Sequence, residues 1–244
     1  MFILNLLRAE GTIADKLVVA LAFVLVATFS IVLHEVSHGF VAKLNGDLTA
    51  KERGRLTLNP IAHLDPIGVA MMLLVGFGWA KPVPINPNNF TKRKRGIFTV
   101  SIAGISANLI VAGFALLLHF LLYPVIIQTM YASGTSAIVS VLLNFVYALL
   151  VLTIQLNMML AFFNILPIYP LDGFNIVNSL LPYGNGFQKF MVRYGSFILI
   201  GLIIIGNIGN IFGIRWLNIF SLYGDLIAEM LEKVTVASIK TFLM

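Results

Sequence analysis

The sequence predicts an all-α polytopic membrane protein, and three observations carry that prediction. Of its 244 residues, 59% are hydrophobic and only 11% charged, where soluble domains carry about 25% charged residues. The mean hydropathy is +0.96. Four apolar stretches reach the roughly 18–20 residues that a helix needs to cross a bilayer. No stretch is polar enough to be a soluble domain, so residues 1–244 read as a single membrane domain. There is no cysteine, which excludes a disulfide framework and thiol chemistry. The sequence pI near 9.7 points to cytoplasmic loops facing anionic lipid rather than to nucleic acid.

The elements follow in order. Phe2 to Leu7 is a short apolar run without a cleavage site after it, expected at the interface. A first span is expected over about 17–44, with Asp15 as its N-cap. Residues 45–63 are polar. Ile67 to Trp79 is apolar but short for a crossing, and reads as a re-entrant or interfacial hairpin. The prolines of Lys81-Pro82-Val83-Pro84-Ile85-Asn86-Pro87 exclude helix and suit an extended edge. Residues 64–90 are thus expected to form one hairpin and β-like edge segment. Lys92 to Arg95 is the densest charge run and reads as a topology anchor. Further spans are expected over about 97–123, 138–166 and 194–211, and an amphipathic, partly membrane-bound helix over 216–244.

Nine of the 16 Lys and Arg residues lie between Lys43 and Arg95, and the loop between the second and third spans has none. By the positive-inside rule the 43–95 segment is cytoplasmic. The chain is then a multi-pass protein of the cell membrane, and the end of its first span faces the cytoplasmic leaflet.

That end carries His34-Glu35-Val36-Ser37-His38. On a helix, HExxH puts two imidazoles on one face, with a glutamate beside them as a candidate general base; this is a zinc-binding pattern. Ionisable groups inside a bilayer are costly, so their presence calls for a function. Zinc hydrolysis consumes water, and such a site within the membrane suggests a protease that cuts other membrane proteins. A catalytic zinc usually has three protein ligands. The strongest candidate for the third is Asp172, in Asn164-Ile165-Leu166-Pro167-Ile168-Tyr169-Pro170-Leu171-Asp172-Gly173. Pro167 and Pro170 end the third span, and Gly173 permits a turn that aims the carboxylate. By topology both motifs lie at the same membrane face.

HExxH with a distant NxxPxxxxLDG resembles the site-2 protease family of intramembrane zinc metalloproteases. Gly46-Asp47-x-Thr49-Ala50-Lys51, Gly54 to Pro60, and Gly78 to Pro84 resemble its compact bacterial branch, which lacks PDZ and CBS domains. The resemblance covers roughly residues 15–215. It implies three core helices around one Zn²⁺, with one or two further C-terminal helices. It implies His34, His38 and Asp172 as ligands, Glu35 as the group that activates water, and Asn164 as a residue that holds substrate backbone or stabilises developing oxyanion charge. The implied substrate is a transmembrane protein within the lipid bilayer. The family's AGPxAN segment reads here Ala103-Gly104-Ile105-Ser106-Ala107-Asn108, with Ile105 in place of proline, and Asn108 is expected near the site.

Alternatives stay open on the sequence alone. A zinc-binding pseudoprotease or chaperone has no need of Glu35. A metal transporter needs two-sided access. Hydrolysis of soluble peptides or lipid amides is also compatible. His63 and Asp65 are read as non-ligands in a gate, a supporting pair or a surface loop. His119 is read as interfacial. The substrate, the trigger and the oligomeric state are not legible.

Overall fold

In the computed structural model, residues 12–75 and 80–243 are described. The Phe2 to Leu7 run lies outside them, as do Gly76 to Trp79 of the expected hairpin. Among the described residues, four helices are long and apolar enough to cross a membrane, as the sequence predicts.

Helix α1 spans Ile13–Leu44. It starts four residues before the expected position, because Thr12 rather than Asp15 is the N-cap. Asp15 N donates to Thr12 Oγ1 and Thr12 N donates to Asp15 Oδ2, a reciprocal capping box that satisfies two end donors. Asp15 is therefore the third helical residue. Helix α2 is the short turn Thr49–Glu52, and α3 is Pro66–Val75. Asp65 Oδ1 accepts from Gly68 N at 2.8 Å, which caps the start of α3. The segment expected as a hairpin thus opens as a short helix. Its β-like character is one antiparallel bridge, Leu64 to Ala80, beside Lys81 N donating to His63 O. Residues 81–86 carry no regular secondary structure. A 3₁₀ turn at Pro87–Asn89 then corrects the expectation of no helix there: Asn86 caps it, and proline fits its first position.

Helix α4, Arg93–Met130, runs through Pro124, well past the expected end at 123. Proline is tolerated in a packed membrane helix. Helix α5, Ala137–Ile165, is capped by Ser136. Helices α1, α4 and α5 make the most extensive packing in the chain. Their facing sides bury small and polar residues: Ala22, Ala27 and Ser30 on α1, Ser101, Asn108 and Ala112 on α4, and Asn157 and Ala161 on α5. Small side chains allow the close approach that substitutes for hydrophobic driving force in lipid.

Helix α6, Asp172–Leu180, and helix α7, Gly186–Ile211, follow. The latter starts before the expected 194. Its Leu199 packs on Ile168 and Leu171, with Phe163 and Leu166 alongside, so α7 buttresses the segment between α5 and α6. Helix α8, Ile219–Leu243, is the expected amphipathic helix. Ile227 and Leu231 pack on Ala115 and Ile154, while Glu229, Glu232 and Lys233 face outward. His119, expected at the interface, is enclosed by the protein. It is 1% exposed, it meets Thr235 Oγ1 at 2.9 Å, and its ring lies beside those of Tyr123 and Tyr147. The reason is the docking of α8, which covers it.

Candidate metal centre

The periodicity of α1 puts His34 and His38 one turn apart on its buried face. Their exposures are 8% and 7%. His38 Nδ1 meets the carbonyl of Val100 on α4 at 2.7 Å. This contact fixes its ring and turns Nε2 towards His34 and Asp172. The two Nε2 atoms lie 3.0 Å apart. Asp172 Oδ2 lies 3.3 Å from His34 Nε2 and 3.2 Å from His38 Nε2. Three donor atoms therefore form a near-equilateral triangle. For ligands about 2.0–2.1 Å from a tetrahedral zinc, neighbouring donors should lie roughly 3.3 Å apart. The triangle fits, and these three residues can hold a metal ion.

Asp172 reaches this place through its local structure. The helix α5 ends at Ile165, and residues 166–171 form an irregular stretch with a cis Tyr169–Pro170 bond. Asp172 then opens α6, where the helix N-terminus favours an anion. Gly173 does not make the expected turn; it is helical. Its role is spatial, since a Cβ there would collide with the carbonyls of Ile165 and Leu166. Burial opposes ionisation of Asp172, but the hydrogen bonds from the two imidazoles beside it outweigh burial and hold its carboxyl below the usual carboxylate range. The residue is thus a carboxylate at neutral pH, as a ligand must be.

Gly104 on α4 closes the site from behind. A Cβ there would lie 2.5 Å from both His34 Cε1 and His38 Nε2. Glu35 reaches the strip at residues 80–86, where its Oε2 accepts from Val83 N at 2.8 Å. The strip is fixed from both sides. Arg55 donates to the carbonyls of Lys81 and Pro82. Asp47, fully buried, accepts from Asn86 N at 2.7 Å, Asn89 Nδ2 at 2.8 Å and Thr49 N at 3.1 Å. Neither the Glu35–Val83 contact nor the Asp47 hook is legible beforehand, because their partners are distant in sequence. The Asp-x-Thr spacing that lets Asp47 engage Thr49 is the one local signal.

The remaining candidates separate. Asn164 Nδ2 donates to Leu160 O one turn back at 3.0 Å, and among the described residues no hydrogen bond joins it to the His–Asp cluster. His63 is fully buried and its Nε2 meets Thr57 O at 2.8 Å; with Asp65 it supports the loop rather than the metal. Asn108 lies one helical turn beyond Gly104.

Asp47 gives a direct expectation. Burial would raise its carboxyl, but the hydrogen bonds from Thr49, Asn86 and Asn89 outweigh it and hold it below the usual carboxylate range. A depressed folded pKa stabilises above the unfolded value and is lost as pH falls through the folded one. Proteolytic nicking between residues 80 and 92 should therefore stay low at neutral pH and rise only below about pH 4. Asp47→Ala should show that nicking at pH 7, with a stability loss of roughly 2–3 kcal/mol. Unchanged nicking in the variant would contradict the hook.

Four candidate spans around a buried two-His, one-Asp cluster that could hold a metal ion fit the class of membrane zinc metalloproteases. Residues 22–202 match Peptidase family M50, and the chain belongs to that family, the site-2 proteases. It is 38% identical over 192 residues to "Putative zinc metalloprotease YwhC" of Bacillus subtilis (strain 168), covering 78% of this chain and 82% of that protein. Over 89 residues it is 36% identical to "Putative zinc metalloprotease Rip2" of Mycolicibacterium smegmatis (strain ATCC 700084 / mc(2)155), covering 34% of each. No solved structure matches the chain significantly.

Proposed function

We propose that one zinc ion is held by His34, His38 and Asp172, and that Glu35 is the general base for hydrolysis of peptide bonds in or near transmembrane segments of membrane proteins. The observation that carries this is the convergence of Nε2, Nε2 and Oδ2 at 3.0–3.3 Å, with Glu35 next in sequence to His34. Bound there, zinc supplies a Lewis acid that polarises a carbonyl and makes water easier to deprotonate at neutral pH. Glu35 takes the proton from the attacking water as its oxygen bonds to the scissile carbonyl carbon. The same carboxyl then gives that proton to the leaving amine nitrogen as the C–N bond breaks. Val83 N–H holds one Glu35 oxygen and leaves the other for the proton. Asn164 gives one Nδ2 hydrogen to Leu160 O and keeps its second N–H and its Oδ1 for substrate backbone or developing oxyanion charge.

A substrate helix must unwind locally before its amide can react. The strip at 80–86 is the natural surface for the extended segment. Pairing there is short, however. Pro82 and Pro84 have no N–H, Val83 N donates to Glu35, and Asn86 N donates to Asp47. Ile85 N–H and the neighbouring carbonyls remain for substrate. The excess of Lys and Arg over residues 43–95 supports a site towards the cytoplasmic leaflet of the cell membrane.

The test is cleavage of a panel of single-span model substrates by purified protein, before and after chelation. Cleavage should vanish with the metal and return with about one equivalent of zinc per chain, the single-metal stoichiometry of catalytic zinc sites. Cleavage by fully metal-free protein would overturn the reading.

A further inference from the structure

The two imidazoles of the metal centre are anchored unequally. His38 Nδ1 has the carbonyl of Val100. His34 Nδ1 is buried and meets no hydrogen-bonding group of the protein. Metal-bound imidazoles almost always give their second nitrogen to a carboxylate, a carbonyl or a water, which fixes ring and tautomer. A buried polar nitrogen left without a partner is costly.

The helix register shows what faces it. His38 is level with Val100, and His34 lies against Gly104, whose added Cβ would be 2.7 Å from His34 Nδ1. The two helices are antiparallel here, so one turn deeper Ser30 comes level with Asn108. Asn157 on α5 joins them, its Nδ2 donating to Ser30 Oγ at 2.8 Å and to Thr153 O at 2.9 Å. Ser30, Asn108 and Asn157 are 1%, 0% and 0% exposed. Both amide atoms of Asn108 and the Oδ1 of Asn157 are buried without a partner. The junction of three helices just below the metal site thus collects unpartnered donors and acceptors, where apolar side chains would be the cheaper filling.

We infer that this junction is a buried hydration site, in which water bridges His34 Nδ1 to the amides of Asn108 and Asn157 and so orients the His34 ring for the metal. The inference rests on His34 being a zinc ligand. A buried water needs two to four polar partners, and the junction offers them in both senses: an imidazole N–H, an Asn157 carbonyl, and an Asn108 amide that can give and accept. Asn108 and Asn157 are positioning residues, because they act through His34.

The experiment measures zinc affinity by chelator competition on the full-length protein, together with thermal unfolding of the metal-free form. The variants are Asn108→Leu, Asn108→Ser and His34→Ala. Leucine fills the space and removes the bridge, and should lower zinc affinity about 10–100-fold. Serine shortens the side chain but keeps a hydroxyl and room for water, and should restore affinity close to the wild type. Unchanged affinity in Asn108→Leu, with metal-free stability equal or higher, would show a dry junction and overturn the inference. Equal losses in the leucine and serine variants would overturn the water bridge in favour of direct contact or a merely structural role. In all these cases loss of zinc from His34→Ala keeps the ligand assignment standing. Zinc retained by His34→Ala would overturn that assignment and this inference with it.

Discussion

Glu35→Gln is expected to keep its zinc and to lose cleavage by about 10²–10⁴-fold, the range that positioned general acid–base groups contribute. Glutamine has the shape of glutamate. Its carbonyl oxygen can still accept from Val83 N–H, so the strip remains anchored as it is by Glu35. What it lacks is basicity. The substitution therefore separates positioning from proton transfer. Glu35→Ala removes both, and should add exposure of the 80–92 segment to nicking. The paired measurements are zinc content and single-turnover cleavage of a model substrate. Cleavage at wild-type rate in Glu35→Gln would show that another group carries the proton.

Gly104→Ala is the second large effect, and it acts through space alone. The added methyl would lie 2.5 Å from His34 Cε1 and His38 Nε2. Rings held by a metal cannot yield freely, so α4 must retreat or the ligands must turn. Overpacking of this kind costs about 1–3 kcal/mol, which is roughly a ten- to hundredfold loss in zinc affinity. Gly113→Ala is the control. It lies on the same helix, and nothing stands within 4 Å of its would-be Cβ. Its zinc affinity should match the wild type. Equal affinity in Gly104→Ala would mean that the helices are not in this close contact when metal is bound.

The parts legible in the sequence are those with local, repetitive signals. Apolar length finds the four spans, and the i, i+4 spacing places His34 and His38 on one face. Parity of crossings brings Asp172 to the same end. Boundaries are less legible because they depend on which side chain wins a cap. Asp15 reads as the first helix's cap, but Thr12 takes that place and Asp15 serves as its reciprocal partner. The second span reads as ending near 123, yet packing carries α4 through Pro124 to Met130. Gly173 reads as a turn residue, whereas its lack of a side chain lets α6 start against the end of α5. His119 reads as interfacial because the sequence does not show that α8 folds back to cover it. The site's supports are the least legible. Glu35 with Val83, Asp47 with Asn86, and His34 with Gly104 are all pairings across long sequence separations. Each depends on the packed register rather than on local pattern.

The most direct measurement is the zinc content of purified wild-type protein beside His34→Ala, His38→Ala and Asp172→Ala, with Gly113→Ala as a folded control. The account predicts about one zinc per chain in the wild type and the control, as a single catalytic site requires, and loss in each of the three ligand variants. A full equivalent of zinc retained by Asp172→Ala would contradict it, because the site would then be closed by some other residue.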